Sequence, residues 1–80
     1  MEYDLDKVDE ITLALLWLTS FKNADDVRAW KGQDWETMDP LYSKGYLSDR
    51  KSKAKSVVFT EEGMRRSEEL FRKMFVIKAE

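Results

Sequence analysis

Residues 11–18 place the strongest constraint on the fold, because they include no charged residue and only one polar residue. Asp4, Asp6 and Asp9 precede them, where carboxylates cap free backbone amides and oppose the helix dipole. We therefore predict a first helix that starts at Asp4 or Asp6 and ends at Phe21. Its main apolar stripe is Leu5, Val8, Ile11, Leu15 and Leu18. A surface helix needs only one such stripe, whereas this helix is apolar nearly all round. We expect it to be central to the fold or half-buried in a dimer.

The chain has 80 residues and contains neither cysteine nor histidine. This length predicts a single domain over residues 1–80. Disulfides and zinc sites built on Cys or His are excluded, so stability must come from packing, or from packing plus a partner subunit. Residues 11–18 are too few to span a bilayer, and no basic segment precedes them. We therefore expect a cytoplasmic protein that does not enter the membrane.

The two halves of the chain carry opposite net charge. Residues 1–40 contain four basic and ten acidic residues, whereas residues 41–80 contain ten basic and six acidic residues. The whole chain has a net charge of −2, so this separation permits a local anion-binding surface on an acidic protein. It equally permits two copies of the chain to associate head to tail.

Two further helices are predicted before the middle of the chain. Residues 24–30 are expected to form a short second helix. Residues 35–44 are expected to form a third helix, which Gly45 closes. Pro40 lies within this third helix and cannot donate a backbone hydrogen bond, so we expect a kink there, or a restart with Asp39 as the new cap.

The second half of the chain predicts a hairpin and a last helix. Residues 46–48 and 56–59 are expected to be strands, the second rich in β-branched residues, with the polar loop 49–55 between them. Thr60 is expected to cap the last helix. The predicted inner face of that helix is Met64, Ser67, Phe71, Met74 and Phe75, with Leu70 beside them.

The predicted order of elements is helix, helix, helix, strand, long basic loop, strand, helix. Two strands alone are not stable in water, but here they would cover the end of a three-helix core. We therefore predict a mainly α (α+β) winged helix-turn-helix fold, with a three-helix core, a two-stranded β-hairpin wing and a C-terminal helix. The second and third helices would form the helix-turn-helix, and the hairpin loop would be the wing.

Motifs in the second half of the chain are shared with known bacterial proteins. They are Lys44-Gly45-Tyr46-Leu47 and Phe59-Thr60-Glu61-Glu62-Gly63. This part resembles the second half of many bacterial winged-helix regulators. Further motifs extend over nearly the whole chain: Arg28-Ala29-Trp30-Lys31-Gly32, Asp34-Trp35, Ser48-Asp49 and Lys51-Ser52-Lys53-Ala54-Lys55-Ser56-Val57-Val58. These are similar to a family of small bacterial proteins described only as a domain of unknown function. Because that family has no assigned activity, the resemblance implies no catalytic residue.

The basic loop is the strongest candidate binding site. Four positive charges lie within six residues, at Arg50, Lys51, Lys53 and Lys55. In an extended segment the three lysines point to one side. Such a loop can contact a phosphate backbone without reading sequence, which predicts weak nucleic-acid contact. The pattern also fits a solvated hairpin whose charges prevent edge pairing, or an acidic protein partner.

The predicted third helix argues against base reading in the DNA major groove. Its outer face carries Asp34, Glu36 and Asp39, which would repel phosphates. If the domain contacts nucleic acid, we expect basic residues of the last helix to contribute. These are Arg65, Arg66, Arg72 and Lys73.

Trp30 and Trp35 flank the predicted turn between two helices. If they are exposed, they would form a patch for a protein partner or a stacked ligand. The alternative, which the small core favours, is that one or both pack against Leu41 and Val57. Trp17 is expected to lie in the core.

The sequence predicts no catalytic or metal site. The acidic residues 4–10 lack the glycine and the distal glutamate of a calcium loop. No serine has a lysine or carboxylate base at motif spacing, and there is no glycine-rich phosphate loop. We therefore expect no enzyme, no metal and no cofactor, but a regulatory or binding domain that contacts nucleic acid weakly through the wing. The alternative is a protein–protein adaptor or homodimer that uses the first and last helices.

Overall fold

Helices alternate with pairs of strands along the chain. The computed structural model describes residues 1–23, 26–30, 35–48 and 56–77. The elements are, in order, α1 Leu5–Leu18, β1 Ser20–Asn23, β2 Asp26–Trp30, α2 Trp35–Ser43, β3 Leu47–Ser48, β4 Ser56–Phe59 and α3 Glu61–Phe75. None of these helices has both the length and the apolar composition needed to cross a bilayer, within the part of the chain described.

The four strands form one antiparallel sheet in the order β1-β2-β4-β3. β1 and β2 form the first hairpin, in which Phe21 is paired with Arg28. β2 is also paired with β4, where Ala29 lies opposite Val57, and β4 is paired with β3. Side chains alternate between the two faces of a strand. Ala29 and Val57 therefore point into the core, whereas Phe21 and Arg28 point to the outer face of the sheet.

The three helices pack on the inner face of the sheet. α1 packs along α3 and also contacts α2 and β2. Glu10 is paired with Arg66, and Trp17 lies against Phe71 further along both helices, so α1 and α3 run parallel. Helices and sheet share one hydrophobic core, whose buried members are Leu13, Ala14, Leu16, Ala29, Met38, Leu41, Leu47, Val57, Phe59 and Leu70.

The winged helix-turn-helix fold predicted from the sequence is wrong. Residues 26–30 of the expected second helix form β2 instead, so the described residues contain no helix-turn-helix. The sheet has four strands rather than the two of a wing. The physical reason is that side chains along this segment alternate between the two faces of a strand. Val27 and Ala29 face the core, whereas Arg28 and Trp30 face outward. Pairing of β2 with strands on both sides outweighs the helical signal of the local sequence.

α1 begins as predicted and ends early. The side chain of Asp4 caps the helix by accepting a backbone hydrogen bond at 3.1 Å in the first turn. The predicted end at Phe21 is wrong, because the chain turns at Thr19 and residues 20–23 form β1. The Thr19 hydroxyl donates to the carbonyl oxygen of Trp30 at 3.4 Å, which ties the end of α1 to the end of β2.

α2 ends at a glycine, as the sequence predicts. Gly45 has a φ of 81°, in the left-handed region that favours glycine. The backbone N–H groups of Gly45 and Tyr46 donate to the carbonyl oxygens of Tyr42 and Leu41, each at 3.0 Å. This pair of bonds is the Schellman motif, which satisfies carbonyl groups left free at the end of a helix.

Pro40 lies inside α2 without dividing it. The helix is one element from Trp35 to Ser43, so the predicted restart with Asp39 as a cap is wrong. Proline at this position removes only the backbone hydrogen bond to the carbonyl of Glu36. Met38 and Leu41 flank Pro40 and are both fully buried in the core, which offsets that loss.

The start of α3 is docked on the turn that follows α2. The Thr60 hydroxyl accepts a hydrogen bond from the Gly63 N–H at 2.9 Å and donates to the Gly45 carbonyl at 2.6 Å. The Thr60 N–H donates to the Tyr46 carbonyl oxygen at 3.0 Å. A Cβ atom on Gly63 would lie 1.8 Å from that same oxygen. The predicted Thr60 cap is confirmed, and the glycine three residues later is required by the close approach.

Candidate interaction surfaces

The outer side of α1 is aliphatic. Between residues 11 and 18 the exposed side chains are Ile11, Leu15 and Leu18, at 38%, 40% and 61% exposure. Their spacing of four and three residues places them on one side of the helix. We call these three residues the aliphatic face. The outer side of a helix in a globular protein normally carries polar and charged residues, so the fold of one chain does not account for this face.

The apolar stripe predicted for α1 is the exposed side of the helix rather than the buried one. The apolar residues of α1 that enter the core are Leu13, Ala14 and Leu16. α1 therefore has two apolar sides, one covered by the sheet and the other helices and one open to solvent. This arrangement agrees with the expectation that α1 is more apolar than a monomer needs.

The end of α3 and the two residues that follow it extend the apolar surface. All three residues are exposed, and we call them the apolar end: Phe75, Val76 and Ile77. Phe75 was predicted on the inner face of the helix, and its exposure shows that prediction to be wrong. The Phe71 ring lies 4.8 Å from the Trp17 ring and 5.3 Å from the Phe75 ring, measured between centres. Because α1 and α3 run parallel, the apolar end lies at the same end of the molecule as Leu18.

An ion-pair group holds the opposite end of α1 against the end of α2. Lys44 Nζ lies 3.0 Å from an Asp6 oxygen and 2.9 Å from an Asp9 oxygen. The hydrogen bond to Asp9, and then the one to Asp6, raise the pKa of Lys44 above its ordinary value. Asp9 is buried, so Lys44 supplies the compensating charge that a buried carboxylate requires.

A second ion-pair group joins α1 to α3. Arg66 Nη2 lies 3.3 Å from a Glu10 oxygen, and the same guanidinium pairs with Glu69. A cavity of about 170 Å³ lies between the two groups, and its apolar lining includes Leu13 and Leu70. Each charged group that lines the cavity is already in an ion pair, so its charges hold the helices together. The described residues contain no cluster of His, Cys, Asp or Glu able to hold a metal ion.

Trp30 lies on the outer face of the sheet. It is 57% exposed, so core packing of Trp30 against Leu41 and Val57 is wrong. The position of Trp30 at the end of β2 turns its side chain away from the inner face, where Ala29 is buried. Its ring instead stacks on Phe21, with 5.1 Å between ring centres.

The two other tryptophans differ from Trp30. The side chain of Trp35 lies outside the described part of the structure. Trp17, expected in the core, is half-buried and packs on Phe71 rather than deep among the aliphatic residues.

The residues predicted to contact nucleic acid fall into two groups. Arg50, Lys51, Lys53 and Lys55 lie outside the described residues. On α3, Arg65 is exposed, whereas Arg66 is held by two glutamates and Arg72 lies 2.9 Å from Glu68. Contact of nucleic acid with Arg65, Arg66 and the basic segment stays a prediction.

Sequence reasoning missed the contact between Phe21 and Trp30. The signal that could have found it is a hairpin pattern, since residues 20–23 and 26–30 are separated by only two residues. Phe21, Val27 and Trp30 are aromatic or β-branched, which favours strands. Read as a hairpin, these segments place both rings on one side of the sheet.

Comparison with known proteins finds relatives of the chain. A family model described as "Domain of unknown function (DUF6429)" matches residues 4–77. The "Uncharacterized protein y4hR" of Sinorhizobium fredii is 53% identical over 75 residues, which cover 94% of this chain and 97% of that relative. No solved structure matches the chain. The resemblance to a small bacterial family of unknown function is confirmed.

Proposed function

This chain belongs to the bacterial family of the domain of unknown function DUF6429, and we propose that it is a non-catalytic binding domain that forms a homodimer through α1. The observation that carries the proposal is the aliphatic face, on a helix with no charge between residues 11 and 18. Exposed apolar surface costs about 25 cal/mol per Å² relative to burial. A contiguous apolar patch on a small domain is typical of an interaction site.

A second copy of the chain fits the aliphatic face. From Val8 to Leu18 the apolar residues are spaced by three, four and three residues, which is the spacing of two packed helices. Antiparallel pairing places Ile11 of one copy opposite Leu15 of the second copy, and Val8 opposite Leu18. The same residues then serve both sides of a two-fold axis, as an interface between identical surfaces requires.

Charge favours the antiparallel orientation over the parallel one. The first ten residues include five acidic residues and one basic residue. A parallel pair would bring these two acidic ends together, and they would repel. In the antiparallel pair the acidic N-terminal end of each α1 lies beside the C-terminal end of the other α1. The two helix dipoles then point in opposite directions. The apolar end of one copy then lies near Tyr3 and Leu5 of the other, which are also exposed.

Size-exclusion chromatography with light scattering tests the homodimer. We expect twice the chain mass of 9.5 kDa at high concentration and dissociation on dilution. Leu15→Lys should give a folded monomer, because it places a charge in the interface at a position that is already 40% exposed in one chain. The matched control is Ser43→Lys, at an exposed position of α2, which should stay dimeric. A wild-type monomer at millimolar concentration, or a dimer of the Leu15→Lys variant, contradicts the proposal.

Cysteine cross-linking tests the orientation, since the chain has no cysteine of its own. A mixture of Ile11→Cys and Leu15→Cys variants should form the mixed disulfide faster than either variant links to itself. Rapid self-linking of Leu15→Cys would instead indicate parallel helices in register. The same pair of variants under denaturing conditions controls for random collision.

Weak nucleic-acid contact through the basic segment is a second candidate function. It is supported by the four positive charges at residues 50–55 of the sequence. The test is an electrophoretic shift with duplex DNA at low salt. The shift should vanish when Lys51, Lys53 and Lys55 are changed to Glu, and a shift that survives this change contradicts the assignment.

A further inference from the structure

The outer face of the sheet carries an aromatic pair beside an arginine. Phe21 is paired with Arg28 across β1 and β2, and Trp30 follows two residues later on the same side of β2. The rings of Phe21 and Trp30 are stacked at an interplanar angle of 30°. We call Phe21, Arg28 and Trp30 the aromatic platform. It lies on the opposite side of the sheet from α1 and is separate from the aliphatic face.

Packing of the core does not explain the exposure of Trp30. Val27 and Ala29 fill the inner face of β2 and pack with the hydrophobic core. Phe21 is half-buried and its ring packs against the indole of Trp30, while more than half of Trp30 stays exposed. A large aromatic ring held in place with an open surface can accept a second planar group by stacking.

Arg28 places a positive charge beside the stacked rings. Its Nε donates to the Ser56 hydroxyl at 2.8 Å, and its Nη2 donates to the Ser56 carbonyl at 3.3 Å. Among the residues the structure describes, no carboxylate forms an ion pair with Arg28. Asp26 lies on the same side of β2, two residues from Arg28 or about 7 Å along the strand, and forms no ion pair with it. The platform therefore combines a stacking surface with a positioned cation that has no ion-pair partner among the described residues.

The segment that precedes β4 in the sequence is basic. Ser56 is paired with Trp30 across β2 and β4, and the four basic residues of segment 50–55 directly precede Ser56 in the chain. A polyanion with planar groups is complementary to an aromatic ring beside a cation such as Arg28. An aliphatic protein segment would offer no negative charge to the guanidinium of Arg28.

We propose that the aromatic platform binds single-stranded nucleic acid, with one base stacked on Trp30 and an adjacent phosphate at Arg28. A single strand is required because the faces of its bases are accessible, whereas duplex bases are stacked on one another. Stacking tolerates every base, so binding has little sequence preference. This inference is independent of the homodimer, since the platform and the aliphatic face lie on opposite sides of the sheet.

Fluorescence anisotropy with three labelled probes of equal length tests the proposal: single-stranded oligo(dT), an abasic deoxyribose-phosphate strand and duplex DNA. The full wild-type chain should bind oligo(dT) more tightly than either other probe at the same salt concentration. Trp30→Ala should weaken binding to oligo(dT) by roughly 5- to 150-fold, the range for loss of one base stack. Trp30→Phe should keep most of the affinity. The matched control, Tyr3→Ala, removes an exposed aromatic ring outside the platform and should bind as wild type does.

Three results would overturn the platform. The first is an affinity for the abasic strand equal to that for oligo(dT), which indicates binding by charge alone. The second is an affinity for duplex DNA equal to that for oligo(dT), which indicates contact by the basic segment. The third is unchanged oligo(dT) binding by Trp30→Ala. Loss of self-association in Trp30→Ala with unchanged oligo(dT) binding would assign Trp30 to a protein interface and would also overturn it.

A monomeric variant separates this proposal from the homodimer. Leu15→Lys should lose self-association and keep oligo(dT) binding, because Leu15 is not part of the platform. Arg28→Gln should lower the slope of log affinity against log salt by about 0.7, as expected for one phosphate contact on a single strand. An unchanged slope would remove Arg28 from the site.

Discussion

Gly45 and Gly63 both lie where the start of α3 is docked on the turn after α2, and each is required for a different reason. Gly45 needs its positive φ of 81°, but a Cβ there would meet nothing within 4 Å. Gly63 has no such requirement on φ, but a Cβ there would overlap the backbone carbonyl of Tyr46. One position is limited by backbone conformation, and the other by space.

Alanine at each glycine should separate these two effects. Gly63→Ala is expected to lower the free energy of unfolding by roughly 3 kcal/mol or more, because a backbone carbonyl cannot rotate away as a side chain can. Gly45→Ala should lower it by only about 1–2 kcal/mol, the cost of a left-handed conformation. Urea unfolding followed by circular dichroism measures both. Equal losses in the two variants would show that the close approach at Gly63 relaxes.

The raised pKa of Lys44 predicts how the free energy of unfolding depends on pH. The pKa of Lys44 in the folded state is raised above the unfolded value of about 10.5, because its ammonium group forms hydrogen bonds with Asp9 and Asp6. A raised pKa means that the folded state binds the proton more tightly, so Lys44 stabilises the fold fully below pH 10. That stabilisation is lost as the pH rises from about 10 through the folded-state pKa.

Comparison of wild type with Lys44→Met isolates this effect. The difference in unfolding free energy should be about 1 kcal/mol and constant from pH 7 to about pH 10, because solvent screens a side chain that is 38% exposed. Above that pH the difference should shrink. Urea titrations at several pH values measure it, and a difference that grows in alkaline solution would contradict the assigned direction of the pKa shift.

At the scale of elements, neighbouring residues of α1 have opposite environments. Leu16 is 4% exposed in the core, and Leu15 belongs to the aliphatic face. Leu16→Ala should cost roughly 2–5 kcal/mol at any protein concentration, since it opens a cavity. Leu15→Ala should cost less than about 1 kcal/mol in dilute protein, with a loss that grows as concentration favours the dimer. Urea unfolding at two concentrations distinguishes the two variants, and similar losses would indicate that α1 is rotated about its axis.

Elements with a local chemical signal were predictable from the sequence. The Asp4 and Thr60 caps, the Gly45 stop and the strand at residues 56–59 all depend on side chains next to the feature they determine. Each signal acts over a few residues, so tertiary structure had little opportunity to override it. The resemblance to the bacterial family was predictable for the same reason, because its motifs are local.

β1 and β2 were missed because the local signals along residues 20–30 favour a helix and a hairpin at once. Asp25 and Asp26 resemble the first turn of a helix, whereas Ala29 is equally acceptable in a helix or a buried strand. The choice depends on β4, whose residue Val57 lies opposite Ala29 from a distant part of the chain. This one error converted a four-stranded sheet into a helix-turn-helix, and it concealed the aromatic platform. The sequence predicted only that α1 is more apolar than a surface helix needs. It did not predict the position of the aliphatic face, because periodicity does not tell which of two apolar sides the core covers.

At the scale of the whole molecule, the two proposed surfaces lie on opposite sides and depend on different forces. The aliphatic face contains only hydrocarbon side chains, so its association gains from removal of apolar surface from water. The aromatic platform combines stacking with a cation, and binding of a polyanion releases counterions. A third arrangement follows from the opposite charges of the two halves of the chain, in which copies associate head to tail through charge alone.

Salt concentration should separate these three forces. Between 50 and 500 mM NaCl, the dimer constant from analytical ultracentrifugation should change by less than about threefold, because salt screens charges but not apolar contacts. Over the same range oligo(dT) binding should weaken progressively, with a slope set by the number of phosphates contacted. The Leu15→Lys variant is the control, since its oligo(dT) binding should follow the same salt dependence as that of wild type. A dimer that dissociates as salt rises would instead show that charge between the two halves holds the copies together, and the aliphatic face would then be the wrong interface.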